Sequence, residues 1–188
     1  MKKLLYIIAA LFITATINAA AQTEQEMAAW MAMATPNANH EVLKQFEGSW
    51  KMDWAYRMTM EQPEEKGTGT AEHKMILGGR FIQIDGMVDM MGQAMKILQF
   101  IGYDNRKNEY FLIGMDEFGT YAMICKGAYD KNKKQFTFNG SDLDPMTKKE
   151  YPFRIVITFA GNKITNETFV SDGSKEFRMM EIVLTKTN

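Results

Sequence analysis

From Trp50 onward the chain alternates. Trp50, Met52, Trp54, Tyr56, Met58 and Met60 are apolar or aromatic, while Lys51, Asp53, Ala55, Arg57 and Thr59 between them are mostly polar. A period of two puts the first set on one face of a pleated strand and the second on the other, the pattern of a half-buried β-strand. The same reading predicts further strands near 66–77, 80–88, 94–103, 109–116, 120–129, 134–140, 152–160, 163–170 and 175–185. Turn formers join most of them: Gly78-Gly79, Asp104–Asn108, Glu117-Phe118-Gly119, Asp130–Lys133, Gly161-Asn162 and Asp172-Gly173. No helical period intervenes, and parallel pairing needs long crossovers, so the strands pair antiparallel and in sequence. An open sheet of about ten strands would expose two edges and a broad apolar face. Closure into an up-and-down barrel removes the edges and buries that face. We therefore expect an all-β, antiparallel up-and-down barrel over 48–188, with a two-sheet sandwich as the other arrangement.

The segment 22–47 reads as helical. Thr23-Glu24-Gln25-Glu26 fits a capping box, followed at helical spacing by Met27, Trp30, Met31 and Ala34. Pro36 ends that helix. Asn39 is placed to cap a second one, which carries Val42, Leu43 and Phe46 and stops at Gly48. Both are too short to stand alone and need the barrel's mouth or base as a partner.

Residues 1–21, MKKLLYIIAALFITATINAAA, have the build of a secretory leader. Lys2 and Lys3 precede a short apolar run, and Ala19-Ala20-Ala21 supplies the small residues of a cleavage site before Gln22. The run is too short for a stable membrane span, and no cysteine follows to take a lipid. The expected location is the periplasm or the exterior. Removing Lys2 and Lys3 from 22 basic residues leaves 20 against 23 acidic ones, a net charge of about −3. This near-balance gives no electrostatic reason to expect nucleic acid. One cysteine excludes an internal disulfide and a cysteine zinc site, and His40 and His73 are the only histidines.

Parity sorts the strands into faces. Lys126 belongs in water, so Tyr121, Met123, Cys125 and Tyr129 point inward. Lys96 marks the outside of its strand and turns Met95, Ile97, Gln99, Ile101 and Tyr103 inward. Arg154 does the same for Phe153, Ile155, Ile157 and Phe159, and Glu181 for Met180, Ile182 and Leu184, with Lys186 next in line. The expected lining of a pocket is Trp54, Tyr56, Met58, Ile97, Gln99, Tyr103, Tyr121, Met123, Cys125, Ile155 and Ile157. Such a lumen suits a small apolar or amphipathic ligand, oriented by Gln99, Tyr103 or Tyr121. The 17 methionines fill a core or line an adaptable cavity, and the bulk are expected to fill the core.

Phe46-Glu47-Gly48-Ser49-Trp50 resembles the opening signature of lipocalins and other calycin barrels. That resemblance implies that Trp50 closes the barrel base under a basic residue of the last strand. Lys186 has the parity for this, while Arg178 sits near the other end. The ordered set Gly48-Ser49-Trp50, Leu77-Gly78-Gly79-Arg80-Phe81, Gly102-Tyr103-Asp104, Asp116-x-x-Gly119 and Gly127-Ala128-Tyr129-Asp130 resembles the bacterial family known as domain of unknown function 1579. It implies a lipocalin-like barrel and carries over no activity, catalytic residue or cofactor. Haem-binding calycin barrels use a histidine near the C-terminal end, and none follows His73 here.

Chemistry is sparse. Cys125 is the one thiol and would serve a lipocalin-like isomerase or hydrolase, but neither histidine has an evident route to it. Asp85, Asp89, Asp116 and Glu117 fall at strand ends or turns, where solvated acids are expected. Methionines gather between Met87 and Met95, a soft ligand set for Cu(I) or a flap over a cavity. No metal or cofactor is expected. Gly67-Thr68-Gly69-Thr70 lacks the lysine of a phosphate loop. Asn166-Glu167-Thr168 matches a glycosylation acceptor by coincidence. Outward Leu98, Phe100 and Val156 could pair two copies. Three readings stay open: a binding module, an enzyme, and a filled, dimerising barrel.

Overall fold

The computed structural model describes residues 23–90, 92–171 and 175–187. The expected leader and its expected cleavage site lie outside these residues. The chain divides into two units, one ending at Thr35 and the other beginning at Pro36. The first holds a helix, α1, over residues 23–34. Its Met27, Trp30 and Met31 are exposed. The helix ends before Pro36, whose ring disfavours helical backbone at the preceding residue.

The second unit begins with a short helix, α2 (Ala38–Val42), and a 3₁₀ turn (Leu43–Phe46). Its N-cap is Asn37, not Asn39. The Asn37 side chain accepts the Asn39 N–H at 2.9 Å, and the His40 ring nitrogen Nδ1 accepts the Asn37 N–H at 3.1 Å. The histidine therefore takes the part that glutamate plays in an ordinary capping box.

Ten strands follow: β1 (Gly48–Tyr56), β2 (Glu65–Ile76), β3 (Phe81–Met90), β4 (Gln93–Asp104), β5 (Glu109–Asp116), β6 (Met123–Asp130), β7 (Gln135–Leu143), β8 (Glu150–Ala160), β9 (Lys163–Ser171) and β10 (Glu176–Thr187). Each pairs antiparallel with the next, and β10 returns to β1 to close the barrel. Closure runs from Ser49 opposite Thr187 to Tyr56 opposite Met180. A register shift between Arg178 and Met180 bends β10 at its start. There the Arg57 N–H donates to the Met179 carbonyl at 2.9 Å, and β1 has already ended.

The turns after β4 and β6 repeat one chemistry. The Asp104 carboxylate accepts the Arg106 N–H, and that of Asp130 accepts the Asn132 and Lys133 N–H groups. Asn108 and Lys134 then take left-handed backbone at φ 54° and 49°. The Tyr103 and Tyr129 segments are thus two copies of one hairpin solution.

The α2 end of the barrel is its floor. Leu43 and Phe46 are fully buried there, and Phe46 packs in an aromatic cluster with Phe136 and Phe159. Full burial of such a side chain contributes about 1.5–3 kcal/mol. The Tyr110 hydroxyl donates to the Asn39 carbonyl at 3.0 Å and ties α2 to β5. The loops after β1, β3, β5 and β7 lie at the opposite end, the mouth. Val156, expected on an outward dimer patch, is buried beside its cross-strand partners Thr137 and Glu167. It offers no exposed surface for pairing.

Candidate functional site

The site grows from one carbonyl. Phe46 ends the 3₁₀ turn, where helical carbonyls lack intrahelical partners. Two side chains reach it: Trp50 Nε1 donates at 2.9 Å, and His73 Nδ1 lies at 3.0 Å. A carbonyl only accepts, so His73 Nδ1 carries the proton. His73 is 3 % exposed. Burial pulls its pKa down to about 4, against weaker upward pulls from the Phe46 carbonyl and Glu72. The ring is neutral at neutral pH, and Nε2 is a bare lone pair. That atom is buried and has no protein partner.

His40 shows the contrast. It too is buried, and both its ring nitrogens are engaged: Nδ1 by the Asn37 N–H, and the ring again by the Tyr103 backbone. Among the described residues, the buried side-chain atoms without a partner are His73 Nε2 and Trp54 Nε1. The Trp54 indole lies across Gly67 on β2, where an added Cβ would fall 2.3 Å from the ring. Glycine at 67 is what lets the indole lie flat on the wall.

A cavity of about 40 Å³ occupies the barrel interior. Its walls are Phe46, Met52, His73, Ile84, Gly86, Ile97, Gln99, Ile157, Ile164, Asn166, Ile182 and Leu184. A water needs roughly 10–15 Å³ by this measure, so a few waters fit. Lining polarity comes from His73 on β2, Gln99 on β4 and Asn166 on β9. No lysine or arginine borders it.

The expected lining divides. Ile97, Gln99 and Ile157 border this cavity. Trp54, Cys125 and Ile155 are buried in the core, and Tyr56, Tyr103 and Met123 pack against it half-buried. Tyr103 sits at the floor, edge-on to His40 at 5.7 Å. Met58 and Tyr121 are not in the lumen. Met58 is 67 % exposed because β1 stops at Tyr56, and Tyr121 is 61 % exposed because β6 starts only at Met123. Tyr121 instead borders an open groove of about 510 Å³ at the mouth, with Phe118, Leu143 and Pro145. His73 and Asn166 were missing from the expected lining. Glu72 and Lys74 on either side of His73 mark it as inward, while Asn166 lies between polar Thr165 and Glu167 and gives no such signal.

Cys125 is 0 % exposed, and burial pushes its thiol up to about 11. It is a neutral, enclosed group with no base beside it, which suits packing and not nucleophilic attack. Asp85 and Asp89 are exposed within β3, Asp85 in mid-strand and not at a strand end as expected, and the other two acids hold turns. Asp116 caps the turn at Phe118 and Gly119, and the Glu117 carboxylate accepts the Lys96 N–H. The methionines after Met87 split by parity: Met87 is exposed, while Met90 and Met95 pack on the core. Met91 lies outside the described residues. No group of three or more His, Cys, Asp or Glu side chains among the described residues could hold a metal. None of their helices is long and apolar enough to cross a membrane.

Residues 35–186 match the family model described as protein of unknown function (DUF1579). The chain belongs to this family. The DUF1579 motifs have structural roles in it: Gly48-Ser49-Trp50 builds the floor, and Asp116 and Asp130 start turns. No curated protein matches the chain. The crystal structure of Rv2717c from M. tuberculosis superposes with a TM-score of 0.60 at 13% identity, covering 82% of this chain and 100% of that one. At that identity the likeness is one of fold, a lipocalin-like barrel.

Proposed function

We propose that this DUF1579 protein is an exported binding module that holds a small apolar or amphipathic molecule in its barrel lumen. One observation carries the reading: the inner wall keeps a buried imidazole acceptor, His73 Nε2, unmatched by the protein beside an otherwise apolar cavity. A buried polar atom left unpaired costs about 1–3 kcal/mol, so Nε2 calls for a partner that the protein does not supply. A ligand or water must complete it. The cavity seats a polar head and little else, so a longer molecule must displace side chains. Met52 borders the cavity, Met95 and Met123 pack half-buried against the core, and these are the side chains best able to move, with three rotatable bonds each. Export rests on the leader pattern of residues 1–21. Native mass spectrometry of the protein taken from its own host tests the binding reading. A co-purifying small molecule supports it; a clean apo mass with no uptake of alkanols, fatty acids or hydrophobic dyes removes it. Amino-terminal sequencing of the exported fraction tests export, with Gln22 the expected first residue.

A further inference from the structure

We infer that the lumen floor selects a neutral ligand whose buried end donates a hydrogen bond, an alcohol or N–H group, over a carboxylate of the same chain length. This rests on the lumen-binding reading above and names its ligand class.

The floor is built around an acceptor. The Phe46 carbonyl holds the proton on His73 Nδ1, so Nε2 can only accept. Moving the proton to Nε2 would break that bond and leave the carbonyl to Trp50 alone. The other polar side chains on the cavity wall are the amides of Gln99 and Asn166. Each can donate or accept, and neither makes a protein hydrogen bond among the described residues. A hydroxyl suits this trio: it donates to Nε2 and accepts from an amide.

A carboxylate does not suit it. Its oxygens would meet the Nε2 lone pair, and no lysine or arginine borders the cavity to balance its charge. Lys186, on the strand beside β1, is exposed and lies over the outer part of the floor on the Trp50 ring. An unpaired buried charge is far costlier than an unpaired buried dipole. An acid inserted tail first would leave Nε2 facing methylenes and still unmatched. The walls that would receive an alkyl tail, Met52, Ile84, Ile97, Ile157, Ile182 and Leu184, are aliphatic all round.

Calorimetric titration of the purified protein with octanol and with octanoate tests this. Octanol is expected to bind at least about tenfold more tightly, since a site built to pair a hydroxyl rejects groups that cannot pair. His73→Phe is expected to abolish the preference. Gln99→Leu and Asn166→Leu keep the Phe46 carbonyl bonded, and each is expected to weaken octanol several-fold, so the inference stays testable if His73→Phe does not fold. Octanoate binding as tightly as octanol, or octanol binding unchanged in all the folded variants, overturns the donor preference while leaving the lumen a binding site. Failure of both compounds to bind, with only water at the floor, overturns the preference and the binding reading together.

Discussion

Lys186 lies over the indole of Trp50, its Nζ 5.5 Å from the ring centroid, and the two are cross-strand partners where β10 closes on β1. The contact joins the first strand to the last and seals the floor from outside. It also explains the glycine of the opening signature. Gly48 has φ 128°, and an added Cβ would fall 2.6 Å from Lys186 Cε. Lys186→Met should therefore cost about 0.5–1 kcal/mol, the usual worth of an exposed cation–π pair. Gly48→Ala should cost more, about 1–3 kcal/mol, because it strains the backbone and displaces the lysine stem. Urea midpoints of the two variants check the order. Equal costs would show that the lysine stem, and not the backbone, sets the requirement at Gly48.

His73 makes stability depend on pH. Its folded pKa of about 4 lies below the ordinary histidine value of 6.5, so the unfolded chain binds the proton more readily. The stabilisation is complete above the unfolded pKa and is lost as pH falls from about 6.5 toward 4, on the order of 3 kcal/mol in all. His40 shifts in the same direction through burial and adds to the slope. Denaturation curves taken from neutral pH down to about 4.5 should show a falling midpoint. In His73→Leu the fall should be much shallower. An unchanged slope in that variant would mean that other groups, His40 or carboxylates, and not His73, drive the acid sensitivity.

Cys125 should behave as a packed thiol. It is fully enclosed, its pKa is raised to about 11, and its Sγ lies 3.0 Å from where a Cβ on Gly140 would sit. In the native protein its alkylation should be slow and should track global opening, rising in step with urea unfolding. Rapid modification at neutral pH, saturating before any loss of structure, would contradict the enclosed position and revive a catalytic thiol.

How far these features could be read from the chain depends on what sets each one. Strand order and closure follow from alternation plus turn chemistry, and both are plain in the residues from Trp50 to Lys186. Strand ends do not follow. The alternation runs on through Met58 and Met60, yet β1 stops at Tyr56, next to the point where the register of β10 shifts between Arg178 and Met180. That shift lies in a strand far away in sequence, so no local pattern reveals it. Tyr121 fails the same way: its parity is right, but the chain is still in the turn that Asp116 starts. His73 was legible from Glu72 and Lys74. Its missing partner was not, because that depends on where the Phe46 carbonyl ends up.

The floor's aromatic cluster should be the costliest part of the core to remove. Phe136 touches Phe46, Tyr110, Tyr129, Phe138 and Phe159, with ring centroids 4.6–6.0 Å away. Phe136→Ala should cost about 3–5 kcal/mol, since several elements meet on that ring and cannot all collapse into the gap. A loss below about 1 kcal/mol in urea titrations would mean that the floor is not packed as described.

Two methionines separate lumen from rim. Met52 is buried and borders the cavity, whereas Met58 stands in solvent beyond the end of β1. Met52→Ala should cost about 2–5 kcal/mol and enlarge the cavity by the volume of the lost side chain. Met58→Ala should stay within about 0.5 kcal/mol of the parent, as surface changes do. The enlarged lumen has a second consequence: a neutral hydrophobic dye should bind Met52→Ala more tightly than the parent, provided the mouth admits it, and should not distinguish Met58→Ala from the parent. Equal stability losses in the two variants would place the end of β1 beyond Tyr56 and return Met58 to the interior. Dye binding that rises only in Met58→Ala would locate the apolar site on the rim instead of in the lumen.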